Sequence, residues 1–373
     1  MKRHDYSDLV GPGVAGLVPY TPGRPIEELE RTLGISGAIK LASNENPLGP
    51  SPKARAAMDE RLDELHLYPD ADGFELKKRL SEKHELPGEC ITLGNGSNEL
   101  LVLLAQAFLG SDTSAVFSEY AFAVYPIVTQ MMGARSQVVP AHPHDHPMAL
   151  GHDLRAMYTA IGPTTRMVFV ANPNNPTGTW LQQGRLRDFV ASLPPEVICV
   201  VDEAYTEYCD CEIVGDASTW ITDFPNLVVT RTFSKAYGLA GLRVGYALSN
   251  PGIAEVLNRV RPTFNVNALG LSAARAALDD AAFLEKTKQV NDAGLAQLTE
   301  GLDRLGVLHT PSAANFILVH FDGPVDELNE ALTHQGIIVR PVANYGLPNA
   351  LRVSVGTFEQ NSRFLDALET ALR

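Results

Sequence analysis

The sequence predicts an α/β protein in which helices cover a mostly parallel central sheet and a smaller α+β domain follows. Short runs that are apolar at nearly every position recur before Pro262, among them Met167–Ala171, Val197–Val201 and Leu227–Thr230. Such runs indicate strands buried on both faces, as in parallel sheets covered by helices. After Pro262, long helical stretches alternate with a few strands, which is typical of an α+β domain.

The N-terminal part is predicted to be an irregular arm with one short helix. Its prolines, among them Pro19 and Pro25, each remove a backbone donor and restrict the preceding residue, which disfavours regular structure. Helical spacing covers Ile26–Leu33, and Ser51, with a proline after it, is a typical helix start. We expect three segments, namely an arm that joins the small domain (1–43), the large domain (44–262) and the small domain (263–373).

Strand, loop and helix alternate along the large domain, and helices dominate the small one. The predicted strands of the large domain are Ile91–Leu93, Ala115–Phe117, Gln137–Val139, Met167–Ala171, Val197–Val201, Leu227–Thr230 and Arg243–Ala247, and its clearest helices are Leu100–Leu109 and Tyr125–Met132. In the small domain the pattern predicts helices over Ala268–Leu278, Ala282–Leu305, Val325–His334 and Glu359–Leu372, and strands over Asn315–His320, Ile337–Arg340 and Leu351–Val355.

The composition is that of an ordinary globular protein, with 45% hydrophobic and 20% charged residues among 373. The net charge of −14 disfavours nucleic acid and anionic membranes as partners. No apolar run is as long as a membrane span, and the N-terminal residues lack the apolar core of a signal peptide. The four cysteines form no paired motif, which suits a reducing compartment. We therefore expect a cytoplasmic protein.

The stretch with the most chemistry follows the predicted strand Leu227–Thr230. Lys235 comes just after this strand, at the end of a sheet where open α/β folds bind ligands. A lysine held there can lose its proton and attack a carbonyl to form a Schiff base. Thr232, Ser234 and Arg243 are close to it in sequence and together can bind one phosphate group. A Schiff-base lysine beside a phosphate site indicates pyridoxal phosphate (PLP) as the cofactor.

Three further motifs have both an ordinary and a functional interpretation. Gly94–Glu99 lies between a strand and a helix, where free amides bind phosphate, although a capped turn would look the same. Asn172–Gly178 follows a strand and is built of turn-forming residues. Asp202 ends a buried strand as a cap, a metal ligand, or an anion that keeps a pyridine nitrogen protonated.

Together these motifs resemble those of the fold-type I PLP enzymes, in particular the class I and II aminotransferases. The resemblance covers most of the chain, from about Pro19 to Gly356, and is most specific over Ser234–Arg243 and in the Asn-Pro-Thr-Gly that begins at Asn175. It implies that Lys235 holds PLP covalently and is the catalytic residue. It also implies a phosphate site formed by Ser97, Asn98, Thr232, Ser234 and Arg243.

The resemblance assigns the remaining contacts of the PLP ring to residues of other strand ends. Asn175 is expected to hydrogen-bond the ring hydroxyl oxygen, with Tyr205 as a second partner of that oxygen. Asp202 is expected beside the pyridine nitrogen, whereas its neighbour Glu203 is expected to be structural. An aromatic residue stacks on the ring in this family, and Tyr120, which precedes a helix, matches it best.

The family also implies a shared site and a carboxylate clamp. Tyr68, in a Tyr-Pro segment, matches a tyrosine that reaches the PLP phosphate of the other subunit, which implies a homodimer. Arg352 matches the arginine that binds the substrate α-carboxylate in a two-pronged geometry that lysine does not offer. Asn44 is expected to support the same carboxylate.

Within the class, three segments resemble the histidinol-phosphate aminotransferases: Val18–Pro25, Leu41–Gly49 and Gly336–Arg340. That resemblance implies that Tyr20 and Arg340 meet the substrate phosphate. It also implies amino transfer that interconverts L-histidinol phosphate plus 2-oxoglutarate and imidazole-acetol phosphate plus L-glutamate.

Three alternatives share parts of this pattern. An aromatic-amino-acid aminotransferase uses the same scaffold, and a PLP decarboxylase of threonine phosphate would release carbon dioxide without amino transfer. The ligand-sensing domain of a transcription regulator would need a DNA-binding domain, for which the segment before Leu41 offers no room. The histidines His142, His144, His146 and His152 favour a solvated loop over a metal site, because prolines interrupt them and no cysteine is near.

Overall fold

The computed structural model describes Tyr6 and residues 9–19, 23–210 and 212–373 of the chain. Its α-helices are α1 (Pro12–Ala15), α2 (Ile26–Leu33), α3 (Pro52–Asp59), α4 (Phe74–His84), α5 (Ser97–Phe108), α6 (Val124–Met131), α7 (Leu154–Thr159), α8 (Gln183–Ser192), α9 (Pro251–Val260), α10 (Ala268–Leu278), α11 (Ala281–Arg304), α12 (Asp326–His334) and α13 (Phe358–Ala371). Short 3-10 turns lie at Leu62–Glu64, Gly88–Cys90, Thr206–Tyr208, Ala217–Trp220, Ala240–Leu242 and Ala343–Tyr345.

The strands form three sheets within the described residues. They are β1 (Ile39–Lys40), β2 (Ile91–Gly94), β3 (Ser114–Ser118), β4 (Arg135–Val139), β5 (Thr165–Ala171), β6 (Ile198–Asp202), β7 (Leu227–Thr232), β8 (Gly245–Ser249), β9 (His309–Thr310), β10 (Phe316–His320), β11 (Ile337–Ile338), β12 (Arg340–Val342) and β13 (Leu347–Ser354). The predicted run Ile337–Arg340 divides into two strands because β11 pairs with β1 whereas β12 pairs with β13.

The largest sheet has the order β2-β8-β7-β6-β5-β3-β4. Neighbouring strands from β7 to β4 run parallel, and β8 is antiparallel to both of its neighbours. Alternate residues face opposite layers: Val229 packs into one apolar core and Val228 into the other. This confirms the predicted mostly parallel sheet that is buried on both faces.

The C-terminal part is built around a second sheet, antiparallel in the order β12-β13-β10-β9. Helices α11 and α13 cover it, with Leu302 and Phe364 fully buried in its core. Strand β1 of the N-terminal arm pairs with β11 beside this core. The boundaries predicted at 43 and 262 stay a prediction, and α10 contributes Ala273 and Ala277 to the core of the large sheet.

The parallel strands place their last residues at one edge of the large sheet. Asp202 ends β6, where it lies beside Thr230 of the neighbouring strand, and Thr232 ends β7. Thr232 and Gly94, the last residue of β2, both pair with Gly245 of β8. The start of α5 and the loop after β7 therefore meet at this edge.

Candidate active site

A cavity at the carboxyl edge of the large sheet is bounded on its other side by the antiparallel sheet. Its wall contains most of the site residues predicted from the sequence, namely Asn44, Ser97, Asn98, Asn175, Asp202, Tyr205, Thr232, Ser234, Lys235, Arg243, Arg340 and Arg352. Ligands bind at this edge in open α/β sheets.

Lys235 lies in this cavity and is half-buried. Its Nζ donates a hydrogen bond to the backbone oxygen of Ser43 at 2.9 Å and is 5.9 Å from the centre of the Tyr205 ring. Burial, together with the nearby positive charge of Arg352, lowers the pKa of Lys235 to about 7. A large fraction of this amine is therefore neutral near pH 7 and able to attack a carbonyl or take up a proton.

An anion cradle lies at the N-terminus of α5. The helix follows Gly96, and within the described residues no side chain caps this end. Arg243 reaches the same place, since a Cβ on Gly96 would lie 2.5 Å from its Nη2. Arg243 Nη1 also donates to Ser234 Oγ at 3.1 Å. Helix amides, a guanidinium and a hydroxyl together form a site that suits a phosphate group.

Glycine at 245 lets this cradle form. A Cβ at Gly245 would lie 2.3 Å from the backbone nitrogen of Ser97, the first residue of α5. Beside it, Thr232 Oγ1 accepts a hydrogen bond from the backbone nitrogen of Ser234 at 3.1 Å. The strand β8 therefore approaches the helix start closely enough that only glycine fits between them.

Asp202 is buried and lines the same cavity. It accepts hydrogen bonds from the Tyr125 hydroxyl at 3.0 Å and the Thr230 hydroxyl at 3.1 Å. Burial raises its pKa to about 6, an effect that these hydrogen bonds oppose. Because this value is below 7, the carboxylate is mostly ionised at neutral pH. A buried anion beside a cavity suits a cationic ring nitrogen.

Two further polar side chains, Tyr205 and Asn175, line the cavity. The Tyr205 hydroxyl accepts a hydrogen bond from Asn44 Nδ2 at 3.0 Å, and burial raises the pKa of this phenol to about 12. Asn175 Oδ1 accepts a hydrogen bond from Arg352 Nη1. A neutral phenol and an amide at the cavity wall suit an oxygen substituent of a ring.

Arg340 and Arg352 form a cross-strand pair. They are direct partners in the antiparallel register of β12 and β13, and both side chains line the cavity. Like charges in this position repel each other unless an anion lies between them. Arg352 Nη2 also donates to the backbone oxygen of Ala42 at 2.7 Å. Among the described residues, the buried Nε of Arg352 has no hydrogen-bond partner, which leaves a donor for a ligand.

Two predicted site residues of the described ranges, Tyr68 and Tyr120, do not line this cavity. Tyr20 lies outside the described residues. Tyr68 is 83% exposed and stacks on Phe264, with ring centres 4.7 Å apart. It therefore makes no contact with the cavity of its own chain, as expected if it acts in another subunit.

The prediction that Tyr120 stacks on the cofactor ring does not agree with the structure. Tyr120 packs against the apolar cluster of Leu150 and Tyr345 instead, and its backbone oxygen accepts a hydrogen bond from Asn174. Phe122 is the aromatic residue of this loop that lines the cavity. Only the position of the turn, which the sequence does not reveal, distinguishes the two.

Sequence reasoning also missed Tyr125, which reaches Asp202 from α6. Its ring contacts Phe122 edge to face, with centres 5.8 Å apart at 88°. The signal in the sequence was the three-residue spacing of Phe122 and Tyr125 at the turn into α6, where the Tyr125 amide donates a hydrogen bond to the backbone oxygen of Phe122 at 3.0 Å.

A family model described as "Aminotransferase class I and II" matches residues 36–368 of the chain. The chain belongs to this family. As a class I and II aminotransferase, it is a PLP-dependent enzyme, and the anion cradle, the buried carboxylate and the half-buried lysine fit that cofactor.

Relatives of this aminotransferase carry a more specific name. A histidinol-phosphate aminotransferase 2 of Methylococcus capsulatus is 55% identical, with 98% of each chain covered. One of Pseudomonas aeruginosa is 53% identical over 99% of each chain. A crystal structure of histidinol-phosphate aminotransferase from Sinorhizobium meliloti in complex with pyridoxal-5'-phosphate superposes with a TM-score of 0.88 at 28% identity, covering 98% of this chain and 97% of that one.

The structure also bears on the predictions about metal binding, membrane spans and the histidine-rich loop. Within the described ranges, no three His, Cys, Asp or Glu side chains are arranged to hold a metal ion, and no helix is long and apolar enough to cross a membrane. His152 was predicted in a solvated loop but is buried, and its Nε2 is satisfied by donating to the backbone oxygen of Ala171, the last residue of β5, at 3.0 Å. His142 and His146 stack on each other in the preceding loop.

Proposed function

We propose that this aminotransferase interconverts L-histidinol phosphate plus 2-oxoglutarate and imidazole-acetol phosphate plus L-glutamate. The observation that carries the proposal is the paired guanidinium groups of Arg340 and Arg352 in the cavity. Relatives that are 53–55% identical over nearly the whole chain and bear the name histidinol-phosphate aminotransferase support it.

The cofactor is expected to lie between the cradle and Asp202. Ser97 and Asn98 amides with Thr232, Ser234 and Arg243 would hold its phosphate, and Asn175 and Tyr205 its ring oxygen. Asp202 would hold the proton on the pyridine nitrogen, and Phe122 would line the ring, both being cavity residues. Bound there, PLP supplies a ring that takes up the electron pair left at the substrate Cα.

Lys235 is proposed to move the proton at the substrate Cα. With a pKa lowered to about 7, its Nζ is able both to accept a proton and to return it near neutral pH. The hydrogen bond to the Ser43 oxygen holds the amine at the cavity wall.

The two arginines are proposed to bind different anions. L-Glutamate has two carboxylates, whereas histidinol phosphate has one phosphate and no carboxylate. We assign the α-carboxylate to Arg352, with Asn44 nearby in the cavity wall, and the distal carboxylate or phosphate to Arg340. Tyr20 is proposed to join Arg340, although it lies outside the described residues.

The test compares two amino donors in Arg340→Ala. A hydrogen bond to a charged group contributes about 1.5–3 kcal/mol, so kcat/KM for histidinol phosphate should fall roughly ten- to a hundred-fold or more. Phenylalanine, which has no distal anion, should lose far less. Arg340→Lys is the matched variant that keeps the charge but not the two-pronged geometry. Equal losses for both donors would refute the assignment of Arg340.

The same donor panel separates the alternatives. A wild-type chain that transaminates phenylalanine well and histidinol phosphate poorly would be an aromatic-amino-acid aminotransferase. Release of carbon dioxide from threonine phosphate without amino transfer would indicate a decarboxylase.

We further propose a homodimer in which Tyr68 reaches the site of the other subunit. In support, large apolar side chains are exposed along the segment around Tyr68, a pattern that marks interaction surfaces. They are Leu62, Leu65, Leu67 and Phe74, each at least 49% exposed.

Mixed dimers test this arrangement. A Tyr68→Phe chain is mixed with an inactive Lys235→Ala chain. If Tyr68 acts on the other subunit, each mixed dimer contains one intact site, and activity rises above that of either parent. Verified mixed dimers without recovery would show that Tyr68 serves its own subunit or no site.

A further inference from the structure

Two fully buried hydroxyls, those of Tyr125 and Thr230, donate hydrogen bonds to Asp202. Tyr125 is 0% exposed on α6, and its hydroxyl donates to Oδ2 of Asp202 at 3.0 Å. Thr230 donates to the other oxygen, Oδ1, at 3.1 Å. One hydroxyl donor on each oxygen restricts the orientation of the carboxylate and leaves further lone pairs for a ligand.

The ring of Tyr125 is held by aromatic contacts on two sides. It stacks on Phe169, with ring centres 4.6 Å apart and an angle of 7° between the planes. Its contact with Phe122 is edge to face, and Phe122 itself lines the cavity. A single side chain therefore contacts both the carboxylate and the aromatic wall of the cofactor site.

We propose that Tyr125 is a positioning residue for the cofactor, which orients Asp202, keeps it ionised at the pyridine nitrogen and fixes Phe122 beside the ring. The proposal rests on the PLP site and not on the choice of substrate. Tyr125, Thr230, the backbone amide of Ala204 and Lys235 act on the Asp202 carboxylate from the packed elements, and the phenol of Tyr205 also interacts with it electrostatically.

The expected effect follows because the pKa of Asp202 is close to neutral pH, so a small further rise would protonate the carboxylate. Burial raises its pKa to about 6, and the two hydroxyls lower it. Without the Tyr125 hydroxyl, the pKa of Asp202 rises further, so the carboxylate becomes protonated at higher pH. A protonated Asp202 no longer favours a protonated ring nitrogen, so the affinity for PLP is lost as the pH falls through this higher value.

The test is Tyr125→Phe, which keeps the ring and removes only the hydroxyl. PLP affinity is titrated across pH in a Lys235→Ala background, where the lysine amine does not contribute its own titration. We expect the midpoint at which PLP affinity is lost to move up by about one pH unit or more, from the usual strength of a hydrogen bond to a charged group. Thr230→Val should move it in the same direction.

Tyr246→Phe is the matched control. Tyr246 is equally buried, and its hydroxyl is 3.0 Å from His84 Nε2, outside the cavity wall. The control should lower the melting temperature without moving the midpoint. A Tyr125→Phe chain that also loses only melting temperature would overturn the proposal. So would a shift that persists when Asp202 is replaced by asparagine, because the effect would then not act through Asp202.

Discussion

Replacing Gly96 by alanine should loosen the phosphate cradle by displacing Arg243, although Gly96 itself has no side chain that could bind the cofactor. Gly96 has a φ of 81°, and an added Cβ would lie 2.5 Å from Arg243 Nη2 and 3.1 Å from its Cζ. The guanidinium would have to move away from the start of α5. Losing one hydrogen bond between a charged pair costs about 1.5–3 kcal/mol, which is roughly a ten- to a hundred-fold or greater rise in the Kd for PLP.

Replacing a second glycine, Gly34, is a control that distinguishes the contact with Arg243 from the effect of backbone strain. Gly34 has a φ of 68° at the end of α2, and an added Cβ there would meet nothing within 4 Å. An alanine costs about 1–2 kcal/mol at Gly34, which is in the left-handed helical region. Gly96, with φ 81° and ψ 161°, is in a region essentially restricted to glycine, where the cost is on the order of 1–3 kcal/mol. Both variants should therefore melt at lower temperature. The assay is titration of each cofactor-free chain with PLP, followed by the absorbance of the bound cofactor. Equal Kd values for Gly96→Ala and Gly34→Ala would refute the reasoning.

Three further outcomes are expected at the cavity. Borohydride reduction of the PLP-loaded enzyme and peptide mapping should place the pyridoxyl group on Lys235, and a label on Lys40 would contradict the assignment. Because the pKa of Lys235 is lowered to about 7, its amine becomes protonated below that pH, and the rate of PLP capture by the cofactor-free chain should fall there. Asp202→Asn should keep the fold and lose most of the half-reaction rate, and a near wild-type rate would show that this carboxylate is not the ring partner.

The sequence alone was sufficient to predict those site residues that come at or just after the end of a buried strand. Asp202 and Lys235 come at or just after the ends of neighbouring strands, so their meeting at one sheet edge could be predicted without coordinates. The apolar runs also identified most of the strands, because a sheet buried on both faces needs apolar residues at nearly every position.

Contacts between distant segments could not be predicted in the same way. Tyr125 and Asp202 are brought together by the packing of α6 on the sheet, and Arg340 faces Arg352 through a register that pattern alone does not fix. The choice between Tyr120 and Phe122 depends on how a turn rotates before α6, and either aromatic residue satisfies the pattern.

The pairing of β1 with β11 also has a consequence for the order of folding. Ile39 pairs with Ile337, so the arm finds its partner strand only after nearly the whole chain has been synthesised. The residues directly after β1 include Ser43, whose backbone oxygen accepts the hydrogen bond from Lys235. Contacts this far apart in sequence form late, because a long loop must close first. A ribosome-bound chain that lacks its last strands would therefore contain the lysine and the phosphate cradle but not a closed cavity.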